Sequence, residues 1–348
     1  MTIDWKSVER VLVIRLRSIG DTVLSTPSLI ALRRFLPEAE IDVMLEDWVA
    51  PLLDGFEHVD RIITIDRRKS RYTAAWEIRR RRYDVVFNLH GGTTATFLTF
   101  ASGGRHRIGY RNYQYSFLHN HLLSSPDEFW RRARSHSAEQ QLALLGFVGV
   151  PVEDRPRSYL SIVDAAMSSL DTKCRERTGV SIDELGVFAL IHPAASFATK
   201  EWPTENFSRV ADYLAGRQMA TVAIASRDER SILEDMASTW NGQIHWFDDL
   251  TLPEITALAS RARLFVGNDS GIAHIAAAVG RPSVVIFGSS NRDSWRPWTD
   301  ARNEIVFEEF HCQPCPGYEC KEFGDSRCIK SVTVESVTAA IDRVLTDR

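Results

Sequence analysis

Hydrophobic and polar positions along the first third of the chain predict short buried strands separated by helices. The run at 11–16, VLVIRL, has the length and β-branched content of a buried strand, and apolar residues at helical spacing follow it as far as Pro37. Further strands are predicted at 41–45, 62–65 and 85–89, with a short helix at 50–55 and a basic helix at about 73–82. This alternation favours a parallel sheet with helices on both faces.

The pattern is interrupted in the middle of the chain and then starts again. Residues 103–135 are rich in Arg, His, Asn and Tyr and are predicted to form long loops, and a helix follows at about 136–147. The polar stretch 152–161 predicts a linker. The second half repeats the alternation, with strands predicted at 187–191, 221–225, 264–267 and 283–287 and helices at about 164–177, 204–216, 229–239, 252–260, 271–279 and 333–346.

Two such α/β units indicate a chain of two domains. We predict an N-terminal domain at 1–160, a C-terminal domain at 161–330 and a linker at about 151–185. The last helix, within 331–348, is a candidate to pack back on the N-terminal domain. Because ligands of open α/β sheets bind at the carboxyl ends of the strands, a cleft between the two units is the expected site.

The composition is that of an ordinary globular protein, since 44% of the 348 residues are hydrophobic and 25% are charged. No apolar run approaches the roughly 20 residues that span a bilayer. The N-terminus carries acidic residues where a signal peptide carries basic ones. We therefore expect the protein in the cytoplasm.

Charge is distributed unevenly along the chain. Residues 1–150 contain 21 Lys and Arg against 17 Asp and Glu, and the remainder contains 21 against 29, so the balances are +4 and −8. The basic half includes three clusters, Arg67–Arg71, Arg79–Arg82 and Arg131–Arg134. They are either solvated helix faces or a surface for an anionic partner, namely a phosphorylated acceptor or an acidic membrane face. The net charge of −4 and the lack of a recognisable binding motif argue against nucleic acid.

The loop after the first predicted strand reads Ser18-Ile19-Gly20-Asp21. Gly20 allows a tight turn and close approach of the backbone to a ligand. Asp21 has two interpretations. It is either a helix N-cap, a position that favours Asp, or a general base aimed at an acceptor hydroxyl.

A second loop, Gly267–His274, joins a predicted strand to an Ala-rich helix. The backbone N–H groups of Ser270 and Gly271 at the start of that helix suit a phosphate. Asp269 is either an N-cap or a group that hydrogen-bonds a sugar hydroxyl or fixes the loop. His274, one turn further along, is either structural or a ligand contact.

Two more loops of the second half add candidate contacts. Lys200, within 196–203, would supply a point charge to a diphosphate, unless it is an ordinary surface lysine. After the strand at 221–225, an acid at Asp228 or Glu229 would accept hydrogen bonds from a ribose diol. Acids are also common in the first turn of a helix, so a structural role is the alternative.

Four cysteines lie close together near the C-terminus: Cys312, Cys315, Cys320 and Cys328. Disulfides are disfavoured in the cytosol, so the cluster suggests a zinc ion or an iron–sulfur centre. The spacing is not that of a standard zinc finger, and a loop of thiols without metal is the alternative.

Taken in order, these loops resemble those of glycosyltransferase family 9, the ADP-heptose lipopolysaccharide heptosyltransferases. The resemblance rests on RSIGDTVLSTPSL at 17–29, HPAASFATKEWP at 192–203 and DSGIAHIAAA at 269–278, followed by Gly280-Arg281-Pro282 and Phe287-Gly288. It covers nearly the whole chain, and the ordered set is more specific than any single motif.

The resemblance implies a GT-B-like α/β fold, in which two Rossmann-like parallel-sheet domains face each other across a cleft. The family's catalytic aspartate falls on Asp21, with Ser18 and Gly20 beside it as substrate contacts. Its nucleotide-sugar contacts fall on Ala195, Ser196, Lys200, Asp269, Ser270, Gly271 and His274, its ribose-binding glutamate on Glu229 or Asp228, and an adenine contact near Leu250. Ala195 and Ser196 stand where relatives often carry Thr, so a hydroxyl contact at position 195 is missing.

The activity that the resemblance implies is inverting transfer of heptose from ADP-heptose to the lipopolysaccharide inner core, either Kdo-lipid A or a heptosyl-Kdo acceptor. Asp21 would act as general base, while Lys200 and the N–H groups at Ser270-Gly271 stabilise the departing ADP. Such donors need no metal for transfer, and no Asp-x-Asp pair is present to hold one. Acceptor residues are expected in the loops near 90–93 and 105–121.

The expected partners are ADP-heptose and an anionic lipid-linked acceptor at the inner membrane surface, without nucleic acid. The enzyme is expected in the cytoplasm, with peripheral association with the inner face of the cytoplasmic membrane as a further expectation. Two alternatives stay open. One is a GT-B transferase that uses another nucleotide sugar for O-antigen or exopolysaccharide, and the other is a non-catalytic protein that binds a sugar nucleotide or an envelope lipid.

Overall fold

A computed structural model describes residues 2–66, 71–240, 242, 244–315 and 317–346 of the chain. Most of the basic run Arg67–Arg71 therefore lies outside the described residues, and only Arg71 is placed. The backbone divides into two compact units, Met1–Ser161 and Ile162–Arg348. No described helix combines the length and the apolar character needed to cross a membrane.

The first unit alternates strands with helices, as the hydrophobic pattern predicts. Its strands are β1 (Arg10–Ile14), β2 (Glu40–Glu46), β3 (Arg61–Ile65), β4 (Val85–Asn88), β5 (His106–Tyr110) and β6 (His121–Leu123). Its helices are α1 (Ile19–Val23), α2 (Thr26–Phe35), α3 (Arg71–Arg80), α4 (Gly92–Ala101), α5 (Pro126–Trp130) and α6 (Ser137–Phe147), with short 3-10 turns at Trp5–Ser7, Ala50–Leu53 and Ser116–Leu118.

The second unit repeats this organisation. Its strands are β7 (Phe188–His192), β8 (Ala220–Ile224), β9 (Ile244–Phe247), β10 (Leu264–Asn268), β11 (Ser283–Ile286) and β12 (Asn303–Val306). Its helices are α7 (Asp164–Thr178), α8 (Thr204–Ala215), α9 (Arg230–Ser238), α10 (Leu252–Arg261), α11 (Gly271–Ala278), α12 (Arg292–Trp295), α13 (Arg327–Lys330) and α14 (Val334–Leu345), with 3-10 turns at Ala198–Lys200 and Arg227–Glu229.

Both sheets have the same strand order. Within the described residues, six strands of the first unit run β3-β2-β1-β4-β5-β6 and six of the second run β9-β8-β7-β10-β11-β12, and every neighbouring pair is parallel. This is the 3-2-1-4-5-6 order of the Rossmann fold. The predicted fold class, two Rossmann-like parallel-sheet domains of α/β type, is confirmed.

The central strands form the core of each unit because helices cover both of their faces. Val11, Leu12, Val13 and Ile14 of β1 are completely buried, and so are four of the five residues of β10, which is why these segments read as continuous apolar runs. The loops that leave these central strands are therefore anchored to the most deeply buried part of each sheet.

The region 103–135, predicted to form long loops, contains β5, β6 and α5, and the prediction was wrong there. The two strands contribute a pair of buried histidines, His106 and His121, whose ring nitrogens Nδ1 and Nε2 lie 2.9 Å apart. These polar side chains occupy inward positions that are usually apolar. The hydrophobic periodicity that identifies a strand is consequently weak here.

Two helices at the ends of the second unit belong to its packing. The predicted linker at 151–185 contains α7, which is tied to α10 because Lys173 Nζ and Ser169 Oγ donate to the Glu254 carboxylate over 2.9 and 2.6 Å. The last helix, α14, packs on β11, β12 and α8 and buries Val337 and Ile341 in the core of the second unit. Its apolar face is thus used within the second unit.

Candidate active site

The candidate residues lie at equivalent positions of the two sheets. In each unit the strand order reverses between the first and fourth strands, which are β1 and β4 in one unit and β7 and β10 in the other. Ligands of open α/β sheets bind at this switch point, beyond the carboxyl ends of the strands. The loop after β1 carries Ser18 and Asp21, and the loops after β7 and β10 carry Lys200 and Asp269.

Ser18, rather than Asp21, is the N-cap of α1. The Ser18 hydroxyl accepts a hydrogen bond from the Asp21 backbone N–H over 3.3 Å and donates one to Asp21 Oδ2 over 2.6 Å. Ser18 has a φ of +70°, a conformation that costs a non-glycine residue on the order of 1–3 kcal/mol and that concentrates at functional sites. The capping interpretation of Asp21 is therefore replaced by a carboxylate that is oriented by the cap.

Arg15 holds the other side of the Asp21 carboxylate. Its guanidinium forms an ion pair with Asp21 Oδ1 and donates from Nη1 to the carbonyl oxygen of Leu89, 2.6 Å away. The Arg15 side chain is 9% exposed, whereas the Asp21 side chain is 22% exposed. The carboxylate is thus anchored from the protein interior and still reaches solvent, as a group that meets a substrate must. Sequence reasoning missed Arg15, although a single cation inside the apolar run VLVIRL was a usable signal.

Two further groups share the surroundings of Asp21. Burial lowers the pKa of His90 to about 4, with the Arg15 cation lowering it further and the Asp21 carboxylate opposing the shift. Burial also raises the pKa of Tyr113 to about 12, and Arg15 and Asp21 act on it in opposite directions. Both rings are therefore neutral near pH 7 and lie close to the Asp21 carboxylate.

The two loops expected to bind an acceptor meet near Asp21. Gly91, the N-cap of α4 in the turn after β4, has a φ of +72°, and a Cβ built on it would lie 2.9 Å from the Tyr113 ring. Tyr113 belongs to the loop between β5 and β6, so the segments near 90–93 and 105–121 pack against each other. Glycine is needed at position 91 both for this backbone conformation and for the close approach of the ring.

In the second unit, Lys200 is held by Asp269. The Lys200 ammonium lies 2.8 Å from Asp269 Oδ2, and the Ser290 hydroxyl donates to the same oxygen over 2.5 Å. Asp269 is only 5% exposed, so its charge requires such partners. The alternative interpretation of Asp269 as an N-cap does not hold, because Ser270 occupies that position of α11. Asp269 fixes the loop and positions the lysine.

The start of α11 presents backbone N–H groups without a side-chain cap. The N-cap residue Ser270 makes no capping hydrogen bond, and its hydroxyl instead pairs with His192 Nδ1 over 3.1 Å. Gly271 is the first helical residue, and His274, one turn on, is buried. The positive end of the helix dipole and the N–H groups around Gly271 form a site suited to a phosphate.

Asn268 connects the loops after β7 and β10. Its side-chain amide donates to the Pro193 carbonyl over 2.7 Å, and its side-chain oxygen accepts from the Trp202 backbone N–H over 3.2 Å. The amide is completely buried. It therefore fixes the spacing between Lys200 and the start of α11. Nothing in the local sequence distinguishes this asparagine from an ordinary turn residue.

Glu229 lies near this site and Asp228 points to solvent. The Glu229 carboxylate accepts hydrogen bonds from the Ser226 N–H and hydroxyl over 3.0 and 2.7 Å. Burial lowers the pKa of His192 to about 4, and the Glu229 carboxylate opposes this shift. Asp228 is exposed. Of the two acids considered for the ribose, Glu229 is the one next to the His192–Ser270 pair.

The remaining predicted contacts are less directly connected to the site. Ala195 is buried and Ser196 is exposed in the loop after β7, and Leu250 is half-buried just before α10. Gly20, in the first turn of α1, is half-buried. The four clustered cysteines lie between β12 and the end of α13, and all are free thiols.

Comparison with known proteins places these features in a family. The family model for glycosyltransferase family 9 (heptosyltransferase) matches residues 71–324. The chain is 26% identical over 349 residues to lipopolysaccharide heptosyltransferase 3 of Escherichia coli, and the match covers 94% of this chain and 96% of that protein.

Two solved structures from E. coli share the fold. The ADP-heptose lipopolysaccharide heptosyltransferase II superposes with a TM-score of 0.79 at 21% identity, covering 97% of this chain and 98% of that one. A heptosyltransferase with ADP-2-deoxy-2-fluoro heptose superposes with a TM-score of 0.73 at 17% identity, covering 96% and 99%.

The two parallel sheets share the GT-B fold of the heptosyltransferase structures, and the family model makes the chain a glycosyltransferase. Within that class, the chain belongs to glycosyltransferase family 9 (heptosyltransferase).

Proposed function

We propose that the protein transfers heptose from ADP-heptose to the lipopolysaccharide inner core, with Kdo-lipid A or a heptosyl-Kdo lipid as acceptor. The match to the heptosyltransferase family and to lipopolysaccharide heptosyltransferase 3 supports this proposal. The site observation that carries it is the Asp21 carboxylate, which Arg15 and Ser18 orient at the carboxyl end of β1.

The second unit is the proposed donor site. Lys200 supplies a cation, the N–H groups at the start of α11 supply hydrogen-bond donors, and Glu229 is available to the ribose hydroxyls. When ADP binds, its diphosphate would share Lys200 with Asp269, because the ammonium carries three donors and can serve both groups. A site of this kind stabilises the charge that develops on the leaving phosphate.

In the proposed reaction an acceptor hydroxyl oxygen attacks the anomeric carbon of the heptose as the bond from that carbon to the β-phosphate oxygen breaks. Asp21 takes the hydroxyl proton, and ADP leaves with the bonding electrons. Attack from the face opposite ADP inverts the anomeric configuration. Arg15 keeps the Asp21 carboxylate oriented, while the Ser18 hydroxyl can turn away to free Oδ2 for the proton.

We further propose that the enzyme works in the cytoplasm, peripherally on the inner face of the membrane that carries its anionic lipid-linked acceptor. A surface formed by α3, α4 and Arg107 of β5, the aromatic–basic ridge, supports this. Its exposed rings are Tyr72 (63%), Trp76 (62%) and Phe100 (51%), and the guanidinium groups of Arg71, Arg80 and Arg107 lie 5.5, 4.4 and 5.9 Å from these rings respectively. Aromatic rings with adjacent cations suit an anionic lipid interface.

The transfer proposal is tested by incubating the enzyme with ADP-heptose and Kdo-lipid A and analysing the lipid product by mass spectrometry. We expect a mass gain of one heptose that is lost in the variant Asp21→Ala. Thermal shifts with ADP, UDP and GDP test the donor. Stabilisation by UDP or GDP alone would replace ADP-heptose by another nucleotide sugar, and ADP binding without any transfer would favour a binding protein.

The membrane proposal is tested by co-sedimentation with vesicles of phosphatidylglycerol and phosphatidylethanolamine. We expect the double variant Tyr72→Ala/Trp76→Ala to lower the bound fraction at least several-fold and to leave transfer to a deacylated, water-soluble acceptor unchanged. Tyr159→Ala removes an exposed ring outside the ridge and serves as control. Equal vesicle binding by the wild type and the double variant would exclude the aromatic–basic ridge as the membrane-binding surface.

A further inference from the structure

Arg17 is a second cation in the loop that carries Asp21. It directly precedes Ser18, the N-cap that orients Asp21, and it is exposed. Among the residues that the structure describes, no carboxylate pairs with the Arg17 guanidinium and no group accepts a hydrogen bond from it. Arg15 differs from it, because the charge of Arg15 is balanced by Asp21. The Arg17 guanidinium is therefore available to bind an anion from solution.

The charges that surround His90, in the turn after β4, do not cancel. Burial lowers the pKa of His90 to about 4, and Arg15 and Arg17 add to this shift, so the ring is neutral near pH 7. The charges of Arg15 and Asp21 offset each other in their ion pair. Of the charged groups that act on His90, Arg17 thus remains as the uncompensated one. Such surroundings favour an anionic group of a substrate over a neutral one.

The His90 ring has one enclosed nitrogen and one that a ligand can reach. His90 Nδ1 is buried and has no hydrogen-bond partner within the described part of the chain. His90 Nε2 is not enclosed in this way, and the residue as a whole is half-buried. An unpaired buried N–H group is more costly than an unpaired buried acceptor, so the neutral ring is expected to carry its hydrogen on Nε2. His90 thus offers a hydrogen-bond donor at its accessible nitrogen.

The turn that carries His90 is fixed to the loop of the proposed base. The Asn88 side-chain oxygen accepts a hydrogen bond from the His90 backbone N–H over 3.2 Å. The carbonyl oxygen of Leu89, the residue before His90, accepts from Arg15 Nη1 over 2.6 Å. Because Arg15 is also the ion-pair partner of Asp21, one guanidinium connects the base to the turn. The position of the His90 ring relative to Asp21 is therefore set by the buried part of the sheet.

Arg17 and His90 lie on two loops that leave the sheet side by side. They follow β1 and β4, which are paired in parallel with Ile14 opposite Asn88. Arg17 comes three residues after Ile14, and His90 comes two residues after Asn88. Both residues are therefore at the carboxyl ends of the strands, at the same edge of the sheet as Asp21, where open α/β sheets bind their ligands.

We propose that the Arg17 guanidinium and the Nε2–H group of His90 form an anion subsite, which holds a carboxylate or phosphate group of the acceptor beside the hydroxyl that reacts. This inference rests on the proposed function of Asp21 as the base. Because Arg15 offsets the charge of Asp21, the bound anion does not meet an unbalanced carboxylate. The subsite selects an acceptor by the distance between its anionic group and its reacting hydroxyl, and it takes no part in proton transfer.

Calorimetric binding of deacylated, water-soluble Kdo-lipid A and heptosyl-Kdo lipid to the full-length protein tests the subsite without turnover. We expect Arg17→Gln to weaken binding of the preferred acceptor about tenfold, because a charge-assisted contact is lost. Arg17→Lys should retain part of the affinity. Arg34→Gln is the control, because it removes an arginine of α2 that is 60% exposed and paired with Asp154. Equal acceptor affinity of Arg17→Gln and the wild type would overturn the proposal.

Two variants of His90 separate the hydrogen-bond donor from the ring. His90→Gln keeps an N–H donor and should keep KM for the acceptor close to that of the wild type. His90→Phe keeps a ring without a donor and should raise KM for the acceptor several-fold, with KM for ADP-heptose unchanged. A merely structural role of His90 would change both KM values or neither, and either result would remove His90 from the subsite.

Modified acceptors identify the anionic group. In one the phosphate groups are removed, and in the other the carboxyl groups are reduced to alcohols. The group held by the subsite is the one whose removal weakens binding to the wild type and not to Arg17→Gln, and the proposal is wrong if neither removal does so. Transfer is measured on the same samples. Weaker binding by Arg17→Gln without any transfer by the wild type would refute the proposed function and leave the subsite standing, whereas normal transfer with equal affinities would refute the subsite alone.

Discussion

Replacing Asp21 by asparagine has two consequences that the structure separates. The asparagine would keep the shape of the side chain but cannot take up the acceptor proton. Loss of a general base lowers turnover by about 10²–10⁴-fold, which corresponds to a barrier roughly 3–5 kcal/mol higher at about 1.4 kcal/mol per decade. The loops of the proposed ADP site belong to the other unit, so we expect ADP affinity to change less than about twofold.

The second consequence is a loss of stability through Arg15. The Arg15 side chain is 9% exposed. In the Asp21→Asn variant it would keep its hydrogen bond to the Leu89 carbonyl oxygen but lose the carboxylate that balances its charge. Breaking a buried pair costs about 3–5 kcal/mol and an exposed one about 0–1 kcal/mol. Since the Asp21 side chain is 22% exposed, we expect an intermediate loss of about 1–3 kcal/mol.

The assay combines kcat for heptose transfer, ADP affinity by calorimetry and unfolding by urea. The double variant Arg15→Met/Asp21→Asn should recover part of the stability and none of the turnover. Asp154→Asn is the control, because it breaks an ion pair with Arg34 in which both side chains are 60% exposed. It should change neither the turnover nor the free energy of unfolding by much. Turnover of Asp21→Asn within threefold of wild type would remove Asp21 as the base.

Three further predictions follow from the second unit. Lys200→Met should weaken ADP binding by about 10–100-fold in calorimetry, because a charge-assisted contact to the diphosphate is lost; unchanged affinity would place Lys200 outside the donor site. His192 has its pKa lowered to about 4 by burial, so between roughly pH 6.5 and 4 the unfolded chain takes up a proton that the native protein does not. The free energy of unfolding should thus fall with falling pH in that window, by at most about 1.4 kcal/mol per pH unit for this group. In urea titrations, the free energy of unfolding of His192→Gln should depend less steeply on pH than that of the wild type. An identical slope in the two proteins would refute the lowered pKa of His192. Gly288→Ala should lower both the melting temperature and ADP affinity, because its Cβ would overlap the carbonyl oxygen of Thr199. Gly216→Ala, whose Cβ meets its nearest neighbour at 3.5 Å, should be close to neutral, and equal effects of the two changes would contradict the packing argument.

The alternation of strands and helices could be predicted from the sequence because most strands are fully buried apolar runs. β1, for example, has four completely buried aliphatic residues in succession. β5 and β6 could not be predicted in this way, since buried histidines replace apolar residues in them. The place of α14 was also beyond the sequence, because an amphipathic helix shows which face is buried and not which surface covers it.

The candidate site was predictable where a motif follows a predicted strand. Asp21, Lys200 and Asp269 lie on such loops, and the strand order brings Lys200 and Asp269 together. Arg15 and Asn268 were missed because their contacts join positions far apart in the sequence, such as Arg15 with Leu89. Roles of this kind depend on the register of neighbouring strands, which a single sequence does not reveal.

The shared strand order has a consequence for how specificity can change in this family. Each unit builds its loops on its own central strands, with its own buried core beneath them. Substitutions in the loops after β1 and β4 therefore need no compensation in the sheet that carries Lys200 and Asp269. Under the proposed function, substitutions in the first unit can change the preference for the acceptor while the second unit keeps the preference for the donor. Chimeras joined near residue 161, between relatives that modify different lipids, should inherit acceptor preference from the first parent alone.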